Sequence, residues 1–148
     1  MKPYLLDINV VIALAWPNHV HHHDAQGWFR EKGSRGFRTC PLTETGFVRI
    51  SCNPAFTPQA VTPGEALALL ARMTQLPGHE FWPDDIPLHT ALARTPTLVG
   101  HRQITDAYLL GLAFKHHGVL ATLDLGFGSL ARGGGGAVEI VGNPKLSA

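Results

Sequence analysis

The stretch KPYLLDINVV (residues 2–11) decides the fold, because it places polar residues inside an apolar run. Residues 4–6 predict a strand that enters a core, and residues 10–14 resume the apolar pattern after Asp7 and Asn9. An unpaired carboxylate is costly to bury, so Asp7 needs a specific partner. The stretch therefore predicts a buried strand that ends at Asp7.

The bulk composition suits a single domain spanning residues 1–148. Hydrophobic residues make up 45% of the chain and charged residues 16%, which excludes a disordered or acidic-tail protein. Twelve Lys and Arg residues against eleven Asp and Glu residues leave a net charge of +1. The net charge therefore does not indicate nucleic-acid binding, although a local basic patch stays open.

Cysteine content and hydropathy indicate a cytoplasmic protein that does not enter a membrane. Cys40 and Cys52 are too few for a disulfide framework. Lys2 precedes an apolar run as in a signal peptide, but Asp7 and Asn9 interrupt that run. No apolar stretch approaches the roughly 20 residues of a membrane span.

Strands alternate with helices along the chain. Strands are predicted at 3–6, 36–40, 80–82, 119–123 and 137–141, the last after a turn of four glycines at 133–136. Helices are predicted at 9–16, 19–32, 43–51, 62–75, 86–95 and 103–117. The helix at 62–75 has the clearest start, since Thr62 and Glu65 form a capping-box pattern. The order predicts an α/β fold with a central parallel sheet of about five strands covered by helices on both faces.

Acidic residues recur where these elements begin or end. Asp7 and Asp124 follow strands, whereas Glu44 and Asp106 lie near the starts of helices. Ligands of such sheets bind at the carboxyl ends of the strands, so we expect the four carboxylates to converge there. Their mutual repulsion favours a hard divalent cation, Mg²⁺ or Mn²⁺, with Asp7 and Asp106 as first ligands. Glu44 and Asp124 would complete the shell or hold metal-bound waters.

Each acid also has a purely structural interpretation. Glu44 and Asp106 suit helix starts, and Asp124 suits a turn before Gly126. Asp7 fits this interpretation least, because an apolar strand end offers few other partners. Four such coincidences are harder to accept than one shared site.

Four blocks, LLDINVVIAL, LTETGFVRIS, ITDAYLLGLA and LATLDLGF, resemble the successive motifs of a PIN domain, specifically a VapC-type toxin of a toxin–antitoxin pair. The resemblance implies a PIN-like three-layer sandwich and a metal-dependent endoribonuclease that leaves a 5′-phosphate and a 3′-hydroxyl. It maps the family's acidic residues onto Asp7, Glu44, Asp106 and Asp124, and site-orienting polar residues onto Asn9 and Thr105. Residues 53–97 carry little of the family signal.

The resemblance also implies a VapB-type antitoxin whose C-terminal segment covers the active-site groove, often on a toxin dimer, so a homodimer or a hetero-oligomer is expected. An apolar groove for this segment is predicted from the early helices, with Val11, Leu14, Trp16, Trp28 and Phe29.

Basic side chains near these blocks are candidates for phosphate contacts. They are Arg38, Arg49, Arg94, His101 and Arg102. Arg102 is the best placed, just before the Asp106 helix, and a solvated surface charge is the alternative for each. The cluster His19, His21, His22 and His23 offers an i, i+4 pair, but no third ligand at zinc-motif spacing, and we interpret it as an exposed helix start.

Other activities compete with the nuclease interpretation. A haloacid-dehalogenase-type phosphatase needs a second Asp two residues after Asp7, where Asn9 stands. A receiver domain needs an acidic pair at the first strand, and Asp84-Asp85 is poorly placed as its phosphoacceptor. A catalytically weak PIN-like module that binds RNA or a partner is the non-enzymatic alternative.

Overall fold

The computed structural model describes residues 1–96, 98, 100–131 and 137–142. Five strands form one parallel sheet: β1 (Tyr4–Leu6), β2 (Phe37–Thr39), β3 (His79–Phe81), β4 (Val119–Thr122) and β5 (Val138–Ile140). The helices are α1 (Ile8–Ala15), α2 (His22–Glu31), α3 (Pro41–Ser51), α4 (Pro63–Thr74), α5 (Leu88–Leu92), α6 (Ile104–Lys115) and α7 (Leu125–Ala131). The predicted α/β class and the parallel sheet are confirmed. The predicted glycine turn at 133–136 lies outside the described residues.

The sheet has a hydrophobic core on each face, since successive strand side chains point in opposite directions. Leu6 and Ala121 pack with α1, α2, α3 and α4 on one face. Leu5 and Leu120 pack with α6 on the other, together with Phe127 of α7. The three-layer arrangement follows from this alternation, because both faces of each central strand are apolar.

The strand order β3-β2-β1-β4-β5 places a switch point between β1 and β4. From β1 the chain moves outward through β2 to β3, then returns to the other side of β1 as β4. Connections leave β1 and β4 in opposite directions, so a crevice opens at their carboxyl ends. Asp7 and Asp124 follow these two ends.

Local start signals set most helix boundaries. Thr62 caps α4, with its Oγ1 accepting from Glu65 N and Glu65 Oε1 accepting from Thr62 N, as the capping-box pattern predicts. Helix α3 begins at Pro41, two residues before the predicted start, because Pro suits the first helical turn. Helix α5 spans 88–92 rather than 86–95, since Pro87 precedes its first turn. Strand β3 lies one residue earlier than predicted.

Three short elements were not predicted from the sequence. Short 3-10 turns occupy Gly33–Arg35 and His101–Gln103, and α7 occupies Leu125–Ala131. Helix α7 contains Gly126 and Gly128, which lower its intrinsic helix propensity. Asp124 stabilises the start of α7, because Asp124 Oδ1 accepts a hydrogen bond from Phe127 N across 2.9 Å.

Candidate active site at the carboxyl ends of β1 and β4

Asp7 is buried at the junction of β1 and α1, where only 3% of its surface is exposed. Its Oδ1 accepts from Ile8 N across 2.7 Å, and its Oδ2 accepts from Thr122 Oγ1 across 2.6 Å. We expected few partners at this apolar strand end, and the structure provides two. Two donors hold its orientation, one from the start of α1 and one from the end of β4.

Asp106 reaches the same point from the first turn of α6. Its side chain approaches that of Asp7 closely enough for one carboxyl group, when protonated, to hydrogen-bond to the other. Burial, followed by the charge and hydrogen bond of Asp7 and the charge of Asp124, raises the pKa of Asp106 to about 8. Burial also raises the pKa of Asp7, against the lowering effect of its hydrogen bonds. Without a cation, the pair therefore favours retaining a proton between its members.

Asp124 supplies a third carboxylate at the rim of the crevice. It is exposed, and its charge raises the pKa of both Asp7 and Asp106. Its Oδ1 also accepts the hydrogen bond that caps α7. Asp124 therefore has the structural role predicted for a turn residue and also lies near Asp7 and Asp106.

Asn9 and Thr122 connect the two strand ends. Asn9 Oδ1 accepts from Leu123 N across 3.2 Å, and its Nδ2 lies 3.5 Å from Thr122 Oγ1. Thr122 Oγ1 also accepts from Asp124 N across 3.1 Å. Thr122 is fully buried and was missed in the sequence, although a hydroxyl at the end of the apolar strand VLAT is a usable signal.

Glu44 lies in the first turn of α3, and its Oε2 accepts from Thr39 Oγ1 across 2.7 Å. Thr39 Oγ1 also lies 2.7 Å from His79 Nε2. Burial lowers the pKa of His79, an effect that the nearby Glu44 charge opposes. Glu44 thus contacts Thr39 at the carboxyl end of β2 and, through the Thr39 hydroxyl, His79 at the amino end of β3. That Glu44 belongs to the same site as the aspartates stays a prediction.

The remaining predicted residues lie on or beside these elements. Thr105 precedes Asp106 in the first turn of α6 and is half-buried. His101 and Arg102 are exposed in the 3-10 turn before α6, and Arg49 is exposed in the last turn of α3. Their exposure leaves them available for a polyanion. RNA contact stays a prediction for these three basic residues, and a site-orienting role stays a prediction for Thr105.

Two other basic candidates have structural partners. Arg38 pairs with Glu80 across 3.3 Å and donates to the carbonyls of Phe37 and Gly78. The Arg94 guanidinium lies 3.4 Å from the centre of the Phe114 ring.

The donor set suits a hard divalent cation, although the acids do not form a closed cage. Within the described ranges, no group of three or more His, Cys, Asp and Glu side chains is arranged to hold a metal ion. Mg²⁺, however, is commonly held by one or two carboxylates with water and substrate phosphate completing its shell. The Asp7–Asp106 pair fits that requirement, because a cation would replace the shared proton.

The histidine cluster is bound into the fold rather than arranged as a site. His22 Nδ1 lies 2.7 Å from the Ala13 carbonyl oxygen, and His19 Nδ1 accepts from His21 N across 3.0 Å. Helix α2 begins at His22, so His19 and His21 belong to the preceding turn rather than to the predicted helix.

The groove prediction is only partly correct. Val11 and Trp28 belong to the core, at 1% and 8% exposure, and Trp16 donates from Nε1 to Ser51 Oγ across 3.1 Å. An apolar cleft of about 280 Å³ does lie between α1, α2 and α4. Its lining includes Leu14, Phe29, Leu69, Met73 and Leu76.

None of the helices in the described residues is both long and apolar enough to cross a bilayer.

Comparison with known proteins assigns the architecture to a family. The sequence profile of the PIN domain matches residues 4–133. The chain is 49% identical to Ribonuclease VapC39 of Mycobacterium tuberculosis over 131 residues, which is 88% of this chain and 94% of the relative. It is 43% identical to Ribonuclease VapC38 of the same species over 128 residues, 86% of this chain and 89% of the relative. The chain therefore belongs to the PIN domain family.

Solved structures share this fold at low sequence identity. The DNA-bound VapBC complex of Salmonella typhimurium contains a chain that superimposes with a TM-score of 0.63 at 20% identity, covering 95% of this chain and 98% of that one. FitAcB of Neisseria gonorrhoeae gives a TM-score of 0.61 at 19% identity, covering 91% and 95%.

Proposed function

We propose that this protein is a metal-dependent endoribonuclease of the VapC toxin type. The observation that carries the proposal is the close approach of Asp7 and Asp106 at the switch point, where each carboxyl group affects the pKa of the other and the charge of Asp124 affects both. A fold does not keep such a pair for stability, since burial and repulsion both penalise it. The names of the ribonuclease relatives support the substrate class.

Each side chain would have a definite part in phosphodiester hydrolysis. Asp7 and Asp106 would hold Mg²⁺ or Mn²⁺, while Asp124 and Glu44 would hold metal-bound waters or complete the shell. The cation would lower the pKa of a bound water and stabilise charge on the scissile phosphate. Thr122 orients Asp7, Asn9 holds the end of β4 through Thr122 and Leu123, and Thr105 precedes Asp106 on α6. His101, Arg102 and Arg49 would contact RNA phosphates, which makes binding salt-dependent.

An antitoxin of the VapB type would regulate this activity. The resemblance to VapC toxins and the fold shared with the DNA-bound VapBC of Salmonella typhimurium support such a partner. The cleft between α1, α2 and α4 would receive an apolar face of the antitoxin's C-terminal segment, with Gln26 and Arg72 offering polar contacts at its border. A toxin homodimer or a hetero-oligomer with antitoxin is the expected assembly, in the cytoplasm.

The direct test measures cleavage of RNA by the purified protein with Mg²⁺ and with EDTA. Wild type should cleave with Mg²⁺ only, and Asp7→Asn should lose cleavage. Glu31→Gln is the matched control, because it removes one negative charge from the exposed end of α2. Cleavage that survives EDTA and Asp7→Asn would remove the aspartates from the chemistry. RNA binding without cleavage would instead favour the catalytically weak binding module.

A further inference from the structure

Thr39, at the end of β2, contacts two ionisable side chains at once. Its Oγ1 donates to Glu44 Oε2 across 2.7 Å and lies 2.7 Å from His79 Nε2. Thr39 is fully buried, whereas Glu44 and His79 are half-buried. A chain of three polar side chains therefore runs from β3 through β2 to the first turn of α3.

The parallel register of β2 and β3 explains why these side chains meet. Phe37 is the direct partner of His79, and Thr39 lies two residues further on the same face of the sheet. The His79 and Phe37 rings pack with their centroids 5.2 Å apart, which restricts the imidazole orientation. His79 Nε2 therefore points along the strand toward the Thr39 hydroxyl.

The chain of hydrogen bonds has one preferred direction. A hydroxyl carries one proton, so Thr39 can donate to only one of its two neighbours. Glu44 Oε2 accepts from Thr39 Oγ1, and donation toward His79 would leave these two oxygens facing each other at 2.7 Å without a proton between them. Thr39 therefore donates to Glu44, and this direction predicts that His79 carries a proton on Nε2, which it donates to Thr39.

We propose that His79 and Thr39 are positioning residues that hold the Glu44 carboxylate for the nuclease site. The inference rests on the proposed function, because it gives Glu44 a part in that site. Glu44 has a long side chain, and the contact with Thr39 restricts its Oε2 while Oε1 takes no part in that contact. An outer partner of this kind fixes the direction in which a carboxylate presents its remaining lone pairs. His79 belongs to the segment 53–97, to which the sequence alone assigns no function.

The test must separate positioning of Glu44 from simple fastening of β3 to the sheet. Thr39→Val removes the hydroxyl at nearly constant shape, and Thr39→Ser restores it. His79→Phe removes the donor, and His79→Gln retains an N–H in the side chain. We expect Thr39→Val and His79→Phe to lower kcat for RNA cleavage by about 10–100-fold with little change in KM. Thr39→Ser and His79→Gln should recover most of that loss, which a purely structural role does not require.

A double-mutant cycle supplies the decisive comparison. If Thr39 acts through Glu44, Thr39→Val should cause no further loss in a Glu44→Gln background. An equal loss in both backgrounds, or wild-type kcat in Thr39→Val, overturns the inference while leaving the nuclease function intact. Should Thr39→Val fail to fold, the same cycle with His79→Phe, a change at a half-buried position, distinguishes the two outcomes.

A readout independent of cleavage tests the direction of the hydrogen bonds. In ¹⁵N NMR, Nε2 of His79 should carry a proton, and Glu44→Gln should shift its resonance. An unprotonated Nε2 in wild type would overturn the inference even if the protein cleaves no RNA. Absence of cleavage in wild type, with the His79 signal as expected, would overturn the proposed function alone.

Discussion

Thr122 Oγ1 donates to Asp7 Oδ2 across 2.6 Å, and this hydrogen bond joins the ends of β4 and β1. Both side chains are buried, and the same hydroxyl accepts from Asp124 N. One threonine thereby holds the orientation of Asp7 and the start of the segment that carries Asp124. Its replacement should affect both stability and catalysis.

Thr122→Val is the first prediction. The change leaves Asp7 Oδ2 and Asp124 N without this partner, so the free energy of unfolding should fall by about 1–3 kcal/mol. Mg²⁺-dependent cleavage should fall as well, because Asp7 loses one of its two donors. Urea unfolding and RNA cleavage measure the two effects, with Thr122→Ser as the control that keeps the hydroxyl. A variant with unchanged cleavage would show that this bond does not orient Asp7 for catalysis.

Asp106→Asn tests the metal assignment through stability. The variant removes one charge from the Asp7 pair, so in EDTA it should melt no lower than wild type. Mg²⁺ that binds only the native state stabilises it by RT ln(1 + [L]/Kd), and this increment should shrink or vanish in the variant. If Asp106 only caps α6, the variant should instead lose about 1 kcal/mol with no metal dependence. Thermal melts of both proteins, with EDTA and with Mg²⁺, distinguish the two results.

The pH dependence of the metal-free protein gives a third prediction. The pKa of Asp106 is raised to about 8 in the folded chain, so the folded state binds the proton more tightly than the unfolded state does. The resulting stabilisation is full below the unfolded value of about 3.9 and is lost as pH rises toward the folded one. Asp106→Asn lacks this contribution. The melting temperature of the variant minus that of wild type, in EDTA, should therefore increase as the solution goes from acidic to mildly alkaline. A constant difference would contradict the raised pKa.

Gly111→Ala tests the packing of the helix that carries Asp106. A Cβ at Gly111 would lie 2.5 Å from Ala91 Cα and 2.6 Å from its carbonyl oxygen, so α5 and α6 would have to separate. We expect a loss of about 1–3 kcal/mol in unfolding free energy, from overpacking. Gly27→Ala in α2 is the control, because a Cβ there meets nothing within 4 Å. It should be neutral or stabilising, by up to about 1 kcal/mol. Equal effects of the two substitutions would contradict the close α5–α6 contact.

Leu76→Asp tests the proposed antitoxin cleft. Leu76 lines the cleft and is 44% exposed, so the change should cost little stability. A buried charge at this border should weaken inhibition by the antitoxin while RNA cleavage stays at the wild-type rate. Leu67→Asp is the control, since Leu67 lies on α4, is 55% exposed and is not part of the cleft lining. Co-purification with the antitoxin and titration of cleavage measure the effect. Equal loss of inhibition in both variants would place the antitoxin elsewhere.

The sequence determined the fold class and the places where acids meet element ends. Period-2 and helical patterns, with capping residues such as Thr62, act locally, and so the alternation of strands and helices could be predicted. The block around Asp7 indicated a strand that is followed by a carboxylate. The short helix α7 was missed, because its glycines obscure the local signal that Asp124 provides.

Only the tertiary structure decided which polar groups share a contact. The Asp7–Asp106 pair, the Thr122–Asp7 bond and the Thr39 contact with Glu44 and His79 join residues from different strands and helices. Their partners depend on strand order and register, which are set by the packing of both sheet faces at once. A local sequence pattern places a carboxylate at a strand end, but the direction of its lone pairs depends on donors from neighbouring elements. The sequence alone therefore located the acids, whereas the folded chain selected which of them form a pair.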